Sequence, residues 1–169
     1  MRILFLTGLL ALGYCLWPGF VLAQDPEQWQ QIKFEKPEDF KANEGVVLEC
    51  ARFILDVAAE AGNPARKTAL SKVAEWMAGT PDHTFIIGEH VGKLMSGNEA
   101  ILGIYMAAIT RYVLENGDKP IAPDEVQFHS FEILLEYCED PRNKVPSSRE
   151  LRKAIKAKNS GKLRTYLSS

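Results

Sequence analysis

Residues 100–109 read Ala-Ile-Leu-Gly-Ile-Tyr-Met-Ala-Ala-Ile, ten positions without a charge. A helix that is apolar on every side has to be enclosed by other elements or by lipid. Ten residues fall short of the roughly 20 that a bilayer-spanning helix takes. Asn98 stands before the run as a helix cap, and Gly117 follows Asn116 as a stop. Residues 98–116 are therefore predicted to be the buried central helix of an all-α, single-domain bundle of five to six helices. A hydrophobic content of 46% in 169 residues supports one packed core and excludes a disordered chain.

The flanking helices announce themselves by spacing. Val47, Cys50, Ile54, Val57 and Ala61 recur at steps of 3 and 4, one face of a helix over 44–61. Gly62-Asn63-Pro64 ends it, and Leu70, Val73 and Met77 stripe a second helix over 65–78. Thr80-Pro81-Asp82 has the residue order of a helix start, which predicts a third helix over 80–96 burying Ile87, Val91 and Leu94. Phe85-Ile86-Ile87 pulls against it, since three β-favouring residues together suit extended chain. Ala100, Gly103 and Ala107 give the central helix a face on which a neighbour can approach closely. Asp124 and Gln127 form a capping-box pattern before a fifth helix ending near Glu139, with Phe128, Phe131, Leu135 and Cys138 on its seam. Ser147 and Glu150 repeat that pattern before a basic helix over 149–158, and Leu163, Tyr166 and Leu167 supply a last anchoring turn.

Both ends of the chain say more about setting than about chemistry. Residues 1–23 have the layout of a secretory signal: Arg2, an apolar run from Ile3 to Trp17, then Val21-Leu22-Ala23 as a small-residue cleavage site. An uncleaved membrane anchor and a lipoprotein signal at Cys15 are the competing readings, the second weakened by bulky Tyr14. Cleavage predicts a mature chain from near Gln24, with residues 24–43 as an N-terminal arm that packs Trp29, Phe34 and Phe40 on a helical domain over 44–169. Residues 24–141 hold 10 basic and 21 acidic residues, a net of −11, while 142–169 hold 9 basic and 1 acidic, a net of +8. The sum is nearly neutral, so no nucleic-acid affinity follows. The basic end suits either an anionic partner or the chain's own acidic body.

Three constellations are candidates for chemistry or contact. Cys50 and Cys138 remain in the exported chain, where an oxidising compartment favours a bond. It would close a loop of about 90 residues, worth up to ~4.5 kcal/mol on the loop-entropy argument. Glu125, His129, Glu132 and Glu136 share a face of the fifth helix and offer metal ligands if a second helix completes the set, although an ordinary solvated face reads the same way. Arg149, Arg152, Lys153 and Lys156, with Leu151 and Ile155 alongside, make a basic amphipathic helix for an acidic partner or, more weakly, an anionic membrane surface. No nucleophile elbow, phosphate-cradling glycine loop or His-Glu-x-x-His motif occurs, so the sequence selects neither a catalytic residue nor a cofactor.

From Trp76-Met77-Ala78-Gly79-Thr80-Pro81-Asp82 through Tyr105-Met106-Ala107 and Leu135-Glu136-Tyr137 to Gly161-Lys162-Leu163-Arg164-Thr165-Tyr166-Leu167, the chain resembles small exported helical proteins of Bacteroidetes-type bacteria. The resemblance covers residues 70–167. It implies a Gram-negative envelope setting and carries no activity or site residues. Together these readings predict a non-enzymatic binding or interaction protein of the periplasm or cell surface, of inhibitor or immunity type by analogy, with a protein partner in the envelope. The alternative is an envelope metal-binding protein or enzyme using the Glu/His face of the fifth helix.

Overall fold

The computed structural model describes residues 26–60, 62–96, 98–117 and 119–169. The predicted signal over 1–23 lies outside the described residues. Those described form an all-α fold: α1 (Pro26–Gln31), α2 (Pro37–Ala42), α3 (Glu44–Asp56), α4 (Pro64–Gly79), α5 (Glu89–Met95), α6 (Ala100–Asn116), α7 (Pro123–Glu139), α8 (Arg149–Asn159) and α9 (Leu163–Leu167). A 3-10 turn, Pro141–Asn143, joins α7 to the basic segment. The count exceeds five to six because the arm folds into α1 and α2, and because α5 and α9 are short separate pieces.

The uncharged run is the centre of the bundle. On α6, Ile101, Ile104, Tyr105, Ala107, Ala108, Ile109, Thr110 and Val113 are all buried. Helices α3 and α4 pack on α6 from one side, with Trp29, Val47, Cys50, Ile54, Val73 and Trp76 in the layer between. Helices α5 and α7 pack from the other side, where Leu94, Tyr105, Phe131, Leu134 and Leu135 form a second layer extended by Leu151 and Leu163. Each large apolar side chain enclosed this way contributes about 1.5–3 kcal/mol relative to exposure. The Asn98 side chain accepts the Ala100 N–H at 3.1 Å, and Gly117 takes φ +62° to end the helix. Gly103 is the close-approach point: a Cβ there would meet Leu70 Cδ2 of α4 at 2.7 Å.

Four local expectations are corrected by tertiary contacts. Helix α3 stops at Asp56 instead of 61, because Val57 turns extended and its carbonyl accepts the Tyr137 hydroxyl at 2.6 Å. Ala59 then donates its N–H to the Asn143 carbonyl at 3.0 Å, which ties the departing chain to the end of α7. Residues 80–88 are not helical; only Glu89–Met95 is, and Ile87, expected in the core, is 52% exposed. The Asp124/Gln127 box does not form: Ala122 caps α7 without a side-chain bond, and Pro123 opens the first turn. The cap of α8 is Ser148, not Ser147, with its hydroxyl accepting from the Leu151 N–H at 3.1 Å.

The two thiols are not bonded to each other; both are free. Cys50 lies in the layer between α3 and α4, and Cys138 packs against the layer on the far side of α6. Each sits on an apolar stripe, as the spacing required, but the stripes face different layers. Burial pushes each thiol up to about 12, with Glu49 adding to the effect at Cys50 and Glu139 at Cys138.

Candidate functional site

Along one side of α6, buried residues border a cleft. Tyr105, Ile109 and Val113, one above the next at steps of four, form the floor of a cleft of about 890 Å³. One wall is the connection between α4 and α5, through Asp82, His83, Thr84, Phe85 and Ile86. The opposite wall is the α6–α7 loop and the first turn of α7, through Lys119, Pro120, Ile121, Pro123, Asp124, Val126 and Gln127. Lys41 of α2 joins the lining as well.

Local sequence explains both walls. Pro81 and Gly88 bracket residues that prefer extended chain, among them Thr84, Ile86 and Ile87. The segment alternates as a strand does: His83 and Phe85 are half-buried, while Thr84 and Ile86 are exposed. His83 and Phe85 are anchored by Trp76, each ring centroid 5.5 Å from the indole. His83 Nε2 lies 3.7 Å from Glu44 Oε1, and Glu44 is also paired with Lys41 at 3.0 Å. On the other wall, Gly117 takes φ +62° where α6 ends, and Pro123 sits in the first turn of α7.

The floor carries one polar group. Tyr105 is 1% exposed and its hydroxyl has no hydrogen-bond partner among the described residues. Burial alone pushes that hydroxyl up to about 12, so it stays a neutral donor across the physiological range. Sequence reasoning missed this cleft. Its only signals were the β-favouring Phe85-Ile86-Ile87 and the paired prolines at 120 and 123.

The candidate metal face is present but occupied by its own neighbours. His129 Nδ1 lies 2.8 Å from Glu132 Oε2, and Nε2 lies 3.5 Å from Glu125 Oε2. Both Glu125 oxygens accept from the Arg164 guanidinium at 2.8 Å, and that bond holds the Glu125 carboxyl below its ordinary value. Arg164 also covers the Phe128 ring at 3.9 Å. Glu132 and Glu136 border a shallow hollow with Tyr112, His129 and Lys158. Among the described residues, no three His, Cys, Asp or Glu side chains form a group able to hold a metal ion. The spacing put the four side chains on one face, but an arginine from α9 claims the first of them.

The basic helix docks on the body. Leu151 and Ala154 of α8 are buried, and Ile155 packs on the same layer. Lys158 pairs with Glu139, Lys144 with Glu60, and Arg164 with Glu125, so much of the tail's charge meets the acidic body. Lys153 is paired within its own helix to Glu150 at 2.8 Å, and Arg152 donates to the Ser147 hydroxyl at 3.2 Å. Arg149 and Lys156 have no ion-pair partner among the described residues. No described helix is long and apolar enough to cross a membrane.

Fold and cleft together define an all-α bundle with a lateral, largely apolar cleft beside its central helix. No family model matches the chain, and neither a curated protein nor a solved structure matches it.

Proposed function

We propose that this is a non-enzymatic binding protein of the cell envelope that holds an apolar ligand in the cleft beside α6. The observation that carries the reading is the cleft itself. About 890 Å³ of space with an apolar floor and charged groups among its walls lies within the usual range for ligand pockets. Its rim bears Ile86, 64% exposed, which water disfavours and an apolar ligand would cover. Export rests on the layout of residues 1–23, and the envelope setting on the resemblance of residues 70–167. The basic helix is a secondary contact surface through Arg149 and Lys156.

The test uses 8-anilinonaphthalene-1-sulfonate, a dye that brightens in apolar sites. One equivalent should bind with enhanced emission, and Ile86→Asp should weaken it about tenfold with the thermal midpoint unchanged. No enhancement, or enhancement unaffected by Ile86→Asp, overturns the reading.

A further inference from the structure

The α4–α5 wall of the cleft presents backbone as well as side chains. Across residues 82–87 no N–H or carbonyl makes a hydrogen bond within the described protein. Bonding resumes on either side, where Thr80 donates to the Trp76 carbonyl and Val91 donates to the Gly88 carbonyl. The intervening stretch has no helix, alternates between exposed and half-buried side chains from 82 to 86, is pinned through His83 and Phe85, and lines the cleft. An extended stretch with a row of unpaired N–H and C=O groups is a template for a second extended chain.

Charge and apolar surface point the same way. Asp82 on this wall and Lys119 on the opposite wall have no ion-pair partner among the described residues. Ile86 and Ile87, beside them, are 64% and 52% exposed. A lipid tail would fill the apolar floor but meet neither charge and none of the backbone groups. An extended peptide meets all three, because its side chains alternate between two faces while its main chain pairs sideways.

We infer that the cleft binds an extended polypeptide segment by strand addition along residues 82–87. This rests on the cleft-binding reading above and names the class of its ligand. Alternate apolar side chains of the segment enter the cleft over Ile109 and Val113. A basic residue of the segment faces Asp82 and an acidic one faces Lys119. Six residues of pairing correspond to roughly 20 Å of strand.

A displayed library of random octapeptides, selected on the full chain, tests the inference. Enriched peptides should alternate apolar and polar positions and displace the naphthalene dye. Ile87→Pro, at a residue outside the cleft lining, removes one N–H where no internal bond exists, so the fold should be unaffected. It should weaken the enriched peptides at least tenfold while dye binding persists. Enriched peptides that bind Ile87→Pro as well as the parent overturn strand addition. No enrichment with dye binding intact overturns the peptide and leaves the cleft reading standing. Displacement of the dye by laurate and by no peptide identifies a lipid site and also overturns it. Loss of dye binding in the parent protein removes both readings together.

Discussion

The Tyr137 hydroxyl donates to the Val57 carbonyl at 2.6 Å, joining residues 80 positions apart. Val57 is where α3 ends, and the bond gives its carbonyl a partner outside the helix. Burial raises the Tyr137 hydroxyl above its ordinary value, so it donates across the physiological range. Tyr137→Phe removes the donor and leaves the partly buried acceptor unpaired. The expected loss is about 1–3 kcal/mol, read from urea unfolding. A midpoint equal to that of the parent shows that water replaces the hydroxyl at no cost.

Gly103 and Leu70 set how closely α4 and α6 approach. A methyl at position 103 would stand 2.7 Å from Leu70 Cδ2, so the leucine has to turn aside. Alanine gains about 1 kcal/mol of helix propensity over glycine, while overpacking costs about 1–3 kcal/mol. Gly103→Ala should therefore be neutral to mildly destabilising, and Gly103→Val clearly destabilising. Leu70→Ala in the Gly103→Val background should recover part of the loss, a coupling that a double-mutant cycle reads directly. Additive effects would show that the two helices can move apart.

Much of this architecture was legible in local sequence, for identifiable reasons. The charge-free run at 100–109 admits only an enclosed helix, and α6 is one. The stop at Gly117 acts through its own backbone, so its position holds, whereas Asn63-Pro64, read as a stop, instead opens α4 with Asn63 as its cap. What failed had long-range causes. The α3 terminus depends on Tyr137, and the non-helical stretch before α5 depends on His83 and Phe85 resting on Trp76. The cleft is assembled from three separated segments, none of which carries a motif. Stripe membership alone could not say that Cys50 and Cys138 face opposite sides of α6.

The thiols give the next prediction. With each held at about 12, only on the order of one in ten thousand is thiolate at pH 8. A disulfide-exchange reagent should leave Cys50 and Cys138 unmodified in the native protein and modify both after unfolding in urea. Adding a reductant should not move the unfolding midpoint. A midpoint that falls under reductant would reveal a bond between them and contradict their placement in separate layers.

Acid should loosen the docking of α9. The Glu125 carboxyl is lowered first by its hydrogen bond from Arg164. A carboxyl lowered in the folded state contributes stability above its unfolded value, and loses it as pH falls through the lowered value. Stability should thus decline below about pH 4.5, the ordinary glutamate range. Glu125→Gln should flatten that part of the profile without changing its alkaline side. Urea midpoints from pH 7 to pH 3 for both proteins make the comparison, and parallel curves would assign the acid loss to other carboxylates.

Tyr105 and Tyr137 supply a matched pair for the cleft. Both are buried, but Tyr137 donates to a carbonyl and Tyr105 has no partner among the described residues. Deleting a hydroxyl that bonds nothing leaves no acceptor stranded. Tyr105→Phe should therefore stay within about 0.5 kcal/mol of the parent, against the larger loss for Tyr137→Phe. Urea unfolding of both variants under one set of conditions decides the point. If Tyr105→Phe costs as much as Tyr137→Phe, the hydroxyl is engaged inside the fold. It would then not be the free donor at the cleft floor.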